Sequence, residues 1–182
     1  MARALIIIDV QNDYFDGGSM ALVGMEAAAE NCSRLLDSFR ASSEALFHIQ
    51  HLATRPGATF FVPDTPGCEI NARVKPRDGE TLVVKHFPSA FRETALHQQL
   101  QSAGVDELVI CGAMTHMCVD TTVRAAFDLG YKCHVIADAC ATRDLAFDQR
   151  TVAAADVQAA FMAALGMPFA QISSTAQQLQ TS

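Results

Sequence analysis

Six short, almost continuously apolar runs punctuate this chain, at residues 4–9, 45–51, 81–85, 107–112, 132–137 and 170–172, with longer helical patterns between them. Runs without apolar–polar alternation suit strands covered on both faces. Their alternation with helices is the pattern of an α/β domain built on a parallel sheet. The spacing predicts helices over residues 25–42, 94–103, 119–129 and 149–165. In the first, Ala28, Cys32, Leu35, Leu36 and Phe39 recur near the helical period. The others stop before Gly104, Gly130 and Gly166, a common way for a helix to end. No repeat, low-complexity tract or linker interrupts the pattern, so residues 1–182 are expected to form one domain.

Two segments break the alternation. Residues 13–20 are polar and glycine-containing, and residues 53–79 carry Pro56, Pro63, Pro66 and Pro76 without periodicity. Long loops in compact domains usually act as binding loops or lids. In open parallel sheets the ligand crevice lies at the carboxyl ends of the strands, so chemistry is expected there.

Composition removes several classes of function. The net charge of −7 opposes a phosphate backbone, and the basic residues Arg73, Lys75 and Arg77 are separated by Val74, Pro76 and Asp78. Nucleic acid is therefore not an expected partner. No run of 18 apolar residues exists to span a membrane. The apolar start at residues 4–8 is too short for a signal h-region and ends at Asp9, which makes a cytoplasmic location the expectation. The six cysteines, Cys32, Cys68, Cys111, Cys118, Cys133 and Cys140, include no C-x-x-C pair. Neither a disulfide framework nor a zinc knuckle is indicated, and most of them suit the role of small buried hydrophobes.

Three residues at strand ends stand out. Asp9 closes the first run, Lys85 closes the third, and Cys118 lies just past the fourth where a helix is expected to begin. Singly, each has an ordinary explanation: a turn-forming Asp, a Lys reaching solvent, a buried Cys. A sheet ordered 3-2-1-4-5-6 brings all three to one edge. There a buried ammonium needs an anionic partner, which Asp9 supplies. A cysteine at a helix start beside an ammonium is expected to have a lowered pKa. Cys140, in Asp138-Ala139-Cys140-Ala141-Thr142, also follows a strand end.

These residues resemble the isochorismatase-like cysteine hydrolases. The family's D-x-Q-x-D-[FY] stretch reads here Asp9-Val10-Gln11-Asn12-Asp13-Tyr14; its lysine after strand three is Lys85; its G-x-x-T-x-x-C turn is Gly112-Ala113-Met114-Thr115-His116-Met117-Cys118. The resemblance runs from about residue 4 to 172. It implies a three-layer αβα fold around a six-stranded parallel sheet, order 3-2-1-4-5-6, and an Asp9–Lys85–Cys118 triad. Asp9 would take the thiol proton and return it to the leaving amine, Lys85 would pair with Asp9 and steady a Cys118 thiolate, and Cys118 would form an acyl-enzyme. The resemblance also implies a non-proline cis peptide at Ala113–Met114, aiming the N–H groups of Met114 and Cys118 at an oxyanion.

One departure narrows the activity. Nicotinamidases of this superfamily carry an Asp-x-His metal site after strand two, whereas this chain reads His48-Ile49-Gln50-His51. Two histidines are an incomplete ligand set, so no metal and no other cofactor is expected. Family members that cleave the vinyl ether of isochorismate lack the cysteine, and Cys118 favours C–N hydrolysis instead. The expected reaction is metal-independent hydrolysis of a small amide, lactam or ureido compound. Nicotinamidase-type or isochorismate-type hydrolysis, or a non-enzymatic small-molecule binding protein on the same fold, is the alternative. Tyr14, Phe15, Phe60, Phe61, Phe87 and Phe91 are candidate pocket walls with His116 as a polar contact, although aromatics populate cores as readily. The Ala-rich final helix and the family habit point to a homo-oligomer, dimer or tetramer.

Overall fold

The computed structural model describes residues 2–180. In chain order the elements are β1 (Ala2–Ile8), α1 (Met25–Ser42), β2 (Ala45–His51), β3 (Thr81–Lys85), α2 (Leu96–Ser102), β4 (Val105–Ala113) and α3 (Asp120–Asp128). There follow β5 (Lys132–Ala141), β6 (Leu145–Phe147), β7 (Arg150–Val152), α4 (Ala154–Leu165), β8 (Gln171–Ser173) and α5 (Thr175–Gln180). Six strands form one sheet in the order β3-β2-β1-β4-β5-β8, and every neighbouring pair is parallel. This is the expected three-layer architecture, with β8 as its sixth strand.

The apolar runs supply both faces. Along β1, Leu5 and Ile7 enter the core beneath α1, while Ala4, Ile6 and Ile8 enter the core shared with α2, α3 and α4. β4 divides the same way, with Val109 and Cys111 on one side and Leu108 and Ile110 on the other. A strand buried on both faces has no polar side to show, which is why these runs do not alternate. Among the described residues no helix is long and apolar enough to cross a membrane.

The helix expected over residues 149–165 begins only at Ala154. Residues before it pair instead as the antiparallel hairpin β6–β7. Asp148 and Gln149 both take left-handed φ angles, 44° and 62°, the requirement of a tight two-residue hairpin turn. The side chain of Asp144 then accepts the N–H of Ala154 at 2.8 Å and so starts the helix. The Ala-rich composition had carried the helical pattern back across this turn.

β1 and β4 approach each other most closely where the chemistry lies. Gly112 has φ +119°, and a Cβ there would stand 2.0 Å from the carbonyl oxygen of Ile8. Only glycine lets β4 pass this close to the last residue before Asp9.

Candidate active site

Four strand ends converge at one edge of the sheet. Asp9 follows β1 with φ 50° and donates its N–H to the Ile49 carbonyl of β2 at 3.1 Å. A non-glycine residue in the left-handed region is uncommon and marks a backbone held by its surroundings. His51 and Lys85 end β2 and β3 and are paired in register. Cys118 sits after β4 in a wide turn spanning Thr115–Val119, closed by the N–H of Val119 donating five residues back to Met114 O at 3.2 Å. The peptide bond between Ala113 and Met114 is cis.

Lys85 is the hub. Its Nζ lies 2.7 Å from Asp9 Oδ2, 2.8 Å from His51 Nδ1, 3.1 Å from Phe87 O and 3.3 Å from Cys118 Sγ. Asp9 and Lys85 are completely buried and Cys118 is 3% exposed. An ammonium has three protons and here faces four acceptors, so one must always go short. Besides Lys85, the Asp9 carboxylate faces the Cys118 side chain and is within its hydrogen-bonding influence, which places it to take the thiol proton.

The electrostatics follow from burial. Desolvation raises the pKa of Asp9 despite the pull of Lys85. Desolvation alone would lower that of Lys85, but Asp9 and Cys118 outweigh it and raise it. Burial, and then the Asp9 charge, raise the Cys118 thiol against the opposing pull of Lys85. This reverses the lowered thiol pKa expected from the sequence. The helix dipole and the ammonium are visible in a sequence, whereas the near-complete burial of the sulfur is not. Burial and the Asp9 charge thus favour the thiol form of Cys118 beside the Asp9–Lys85 pair. His51 is pushed down to about 3 by burial, then by Lys85 and His86, and is a neutral ring.

Asp9, His51 and Cys118 are also the one set of three metal-ligating side chains gathered together among the described residues, with ligand atoms within 4.8 Å of one another. Lys85 Nζ already stands against all three atoms. A divalent ion at that point would have to displace a fixed positive charge, so the donor set is fitted to its own ammonium. His48 lies elsewhere, buried against Glu80 at 2.9 Å.

A cavity of about 400 Å³ opens over Cys118. Of the aromatics singled out in the sequence, Tyr14, Phe60, Phe61 and Phe87 line it, and the Tyr14 and Phe61 ring centroids are 4.6 Å apart. Phe15, Phe91 and His116 are not among its lining residues. Phe15 turns into the core beneath α1, Phe91 stacks on Tyr131 at 6.1 Å, and His116 Nδ1 binds Thr142 Oγ1 at 2.6 Å. Adjacent residues project to different sides of the chain, which separates Phe15 from Tyr14. Cys140 is also buried outside the cavity, and burial raises its thiol pKa.

One loop roofs much of the cavity. Ala53, Thr54, Arg55, Ala58, Phe60 and Phe61 all line it, and the N–H of Ala53 donates to Phe61 O at 2.9 Å to close the loop. Asp13 anchors this segment, with Oδ2 accepting the Phe61 N–H at 2.6 Å and Oδ1 accepting the Ser19 N–H at 3.1 Å. A Cβ on Gly67 would stand 2.2 Å from that carboxylate, so the neighbouring turn packs directly on the anchor. His51 is the site residue that the sequence marks only as a possible metal ligand. Its place at the end of the strand between those of Asp9 and Lys85 was the available signal.

Comparison with known proteins adds a lineage to this geometry. Residues 3–177 match the family model described as Isochorismatase domain. The chain is 48% identical over 175 residues to the uncharacterized isochorismatase family protein YddQ of Bacillus subtilis (strain 168), covering 96% of this chain and 97% of that protein. It is 34% identical to a streptothricin hydrolase of Streptomyces noursei, over 79% of this chain and 51% of the other. It is 29% identical to the nicotinamidase of Escherichia coli (strain K12), over 76% and 82% respectively. Among solved structures, an isochorismatase from Pseudomonas putida KT2440 superposes with a TM-score of 0.91 at 40% identity, covering 96% of this chain and 89% of that one.

Proposed function

This chain belongs to the isochorismatase family, and from that premise we propose that it is a metal-independent cysteine amidohydrolase acting on a small amide, lactam or ureido compound. The observation that carries this reading is the single ammonium of Lys85 held between a carboxylate and a thiol, all three out of water.

Asp9, with its pKa raised by burial, is the base that takes the Cys118 proton as the sulfur attacks the carbonyl carbon. The carboxylate charge disappears in that step, Lys85 steadies the negative charge building on the sulfur until the S–C bond forms, and the charge then passes to the carbonyl oxygen. The N–H groups of Met114 and Cys118 are the proposed donors to the oxyanion; that of Met114 makes no backbone hydrogen bond among the described residues. Collapse expels the amine, which recovers the proton from Asp9. Water then attacks the thioester with Asp9 again as base, the carboxylic acid leaves, and Cys118 regains its proton.

The streptothricin hydrolase and the nicotinamidase among the relatives support amide chemistry. The missing Asp-x-His after β2 and the ammonium already placed among the metal-ligating atoms count against a nicotinamidase-type metal site. Cys118 itself counts against the vinyl-ether reaction of isochorismate. Steady-state hydrolysis across a panel of primary amides, lactams and ureido compounds tests the reading. Activity of at least one class should fall by roughly 10³-fold or more in Cys118→Ala. No turnover of any class by the wild-type protein would leave the non-enzymatic binding protein as the better account.

A further inference from the structure

We infer that His51 is a substrate-binding residue, whose Nε2–H donates into the cavity and selects amides carrying a hydrogen-bond acceptor close to the scissile carbonyl. The inference deepens the amidohydrolase reading, which supplies the scissile carbonyl as its point of reference.

The tautomer follows from the neighbours. Lys85 Nζ lies 2.8 Å from His51 Nδ1. An ammonium can only donate, so Nδ1 is the acceptor, and a neutral ring then carries its one proton on Nε2. Desolvation and the adjacent ammonium keep the ring neutral at any working pH. The backbone is fixed as firmly: the His51 N–H donates to Gln11 Oε1 at 2.8 Å, and Gln11 Nε2 donates to His51 O at 2.9 Å. Gln11 is itself fully buried.

The direction of the donor follows from exposure. The Nδ1 edge of the ring faces Lys85, which is completely buried, yet the His51 side chain is 18% exposed and lines the cavity. With Nδ1 turned to that buried ammonium, the opposite edge, which carries Nε2, is the one left to face the cavity, and no hydrogen bond is made by Nε2 among the described residues. Around it the cavity is walled by Tyr14, Phe60, Phe61, Phe87 and Met114. Thr54, Arg55 and His86 also line the cavity, but the His51 ring N–H is the donor fixed at both backbone and ring beside Cys118. A fixed polar group in a largely apolar wall orients a ligand. One ring nitrogen of His51 lies within 4.8 Å of Cys118 Sγ, so an acceptor held at this ring lies near the carbon that sulfur attacks. A neutral imidazole N–H is too weak an acid to protonate a leaving amine, and the proton work stays with Asp9. A second carbonyl, a carboxylate or a ring nitrogen would each serve as the acceptor.

The test reads binding rather than turnover. Picolinamide, nicotinamide and isonicotinamide place a ring nitrogen at three positions relative to one carboxamide, and benzamide has none. Each is used to protect Cys118 from iodoacetamide at mildly alkaline pH, with labelling mapped by peptide mass. At least one pyridine isomer should protect the wild-type protein at about tenfold lower concentration than benzamide, the size of one good hydrogen bond. In His51→Asn, whose side-chain oxygen can still accept from Lys85 but which has no donor at the Nε2 position, that advantage should vanish. In His51→Gln, whose amide nitrogen reaches the Nε2 position, it should return at least in part, with benzamide protection similar in all three proteins. The inference is overturned if no isomer outperforms benzamide, or if the advantage survives in His51→Asn. It is overturned too if both variants lose benzamide protection, which would make His51 a structural support. Protection of the expected pattern without hydrolysis of any amide would instead count against the amidohydrolase reading alone.

Discussion

Lys85 Nζ stands 2.7 Å from Asp9 Oδ2 with neither side chain exposed to water. A buried pair of this kind adds little to stability by itself, but removing one member leaves an uncompensated charge, at a cost of about 3–5 kcal/mol. Lys85→Met should be destabilised by about that much at neutral pH. The sign of its pH dependence is fixed by Asp9, whose pKa burial already raises and which then loses its opposing cation. A carboxyl raised above its unfolded value contributes stability below that unfolded value and loses it as pH rises through the folded one. The deficit should therefore shrink as pH falls toward the ordinary carboxylate range and grow toward neutrality. Urea unfolding at a series of pH values measures it, and a deficit independent of pH contradicts the pairing.

Asp9→Asn should separate thiol reactivity from catalysis. Burial and the Asp9 charge both raise the Cys118 pKa, while Lys85 lowers it. Removing the carboxylate leaves the ammonium to favour the thiolate, so iodoacetamide should label Cys118 faster at neutral pH than in the wild type. Amide turnover should fall by about 10²–10⁴-fold, because the proton has no acceptor and the leaving amine no acid. Parallel rate measurements on the two proteins decide the matter, and slower labelling would mean that Asp9 does not oppose the thiolate.

Gly112→Ala tests the close approach of β4 to β1. The new methyl would meet Ile8 O at 2.0 Å on a backbone with φ +119°. The strands must part between Asp9 and Cys118, with a loss of at least about 3 kcal/mol. Thermal unfolding and amide turnover should both suffer, whereas near-wild-type values would show that the contact relaxes without cost.

Asp13→Ala should loosen the roof of the cavity while leaving the triad in place. Two backbone hydrogen bonds, to Phe61 and Ser19, end on this carboxylate. Their loss should cost about 1–3 kcal/mol, and substrate KM should rise more than kcat falls. A variant with unchanged KM would show that the Phe61 segment is held by its ring packing alone.

Much of this arrangement was legible in the sequence because continuous apolar runs and glycine stops act locally. β2, β3 and α1 run over the residues that periodicity assigns to them. The hairpin at Asp148–Gln149 was hidden because its turn residues adjoin an Ala-rich helical pattern. α5 was hidden because Thr175–Gln180 is polar and short. Asp9, Lys85 and Cys118 could be drawn together from strand order. His51 follows from the same strand order, since β2 lies between β1 and β3, although in the sequence it stands out only as a possible metal ligand beside His48. The direction of the Cys118 pKa could not be read, because it depends on how completely packing removes water from the sulfur.

The central claim is that Cys118 carries the acyl group. Rapid quenching of the wild-type protein with whichever amide of the panel it turns over, followed by peptide mass analysis, measures this directly. The account predicts a peptide containing Cys118 heavier by the acyl group of the substrate, absent from Cys118→Ala together with turnover. Hydrolysis by Cys118→Ala at the wild-type rate, or an acyl group on another residue, would contradict it.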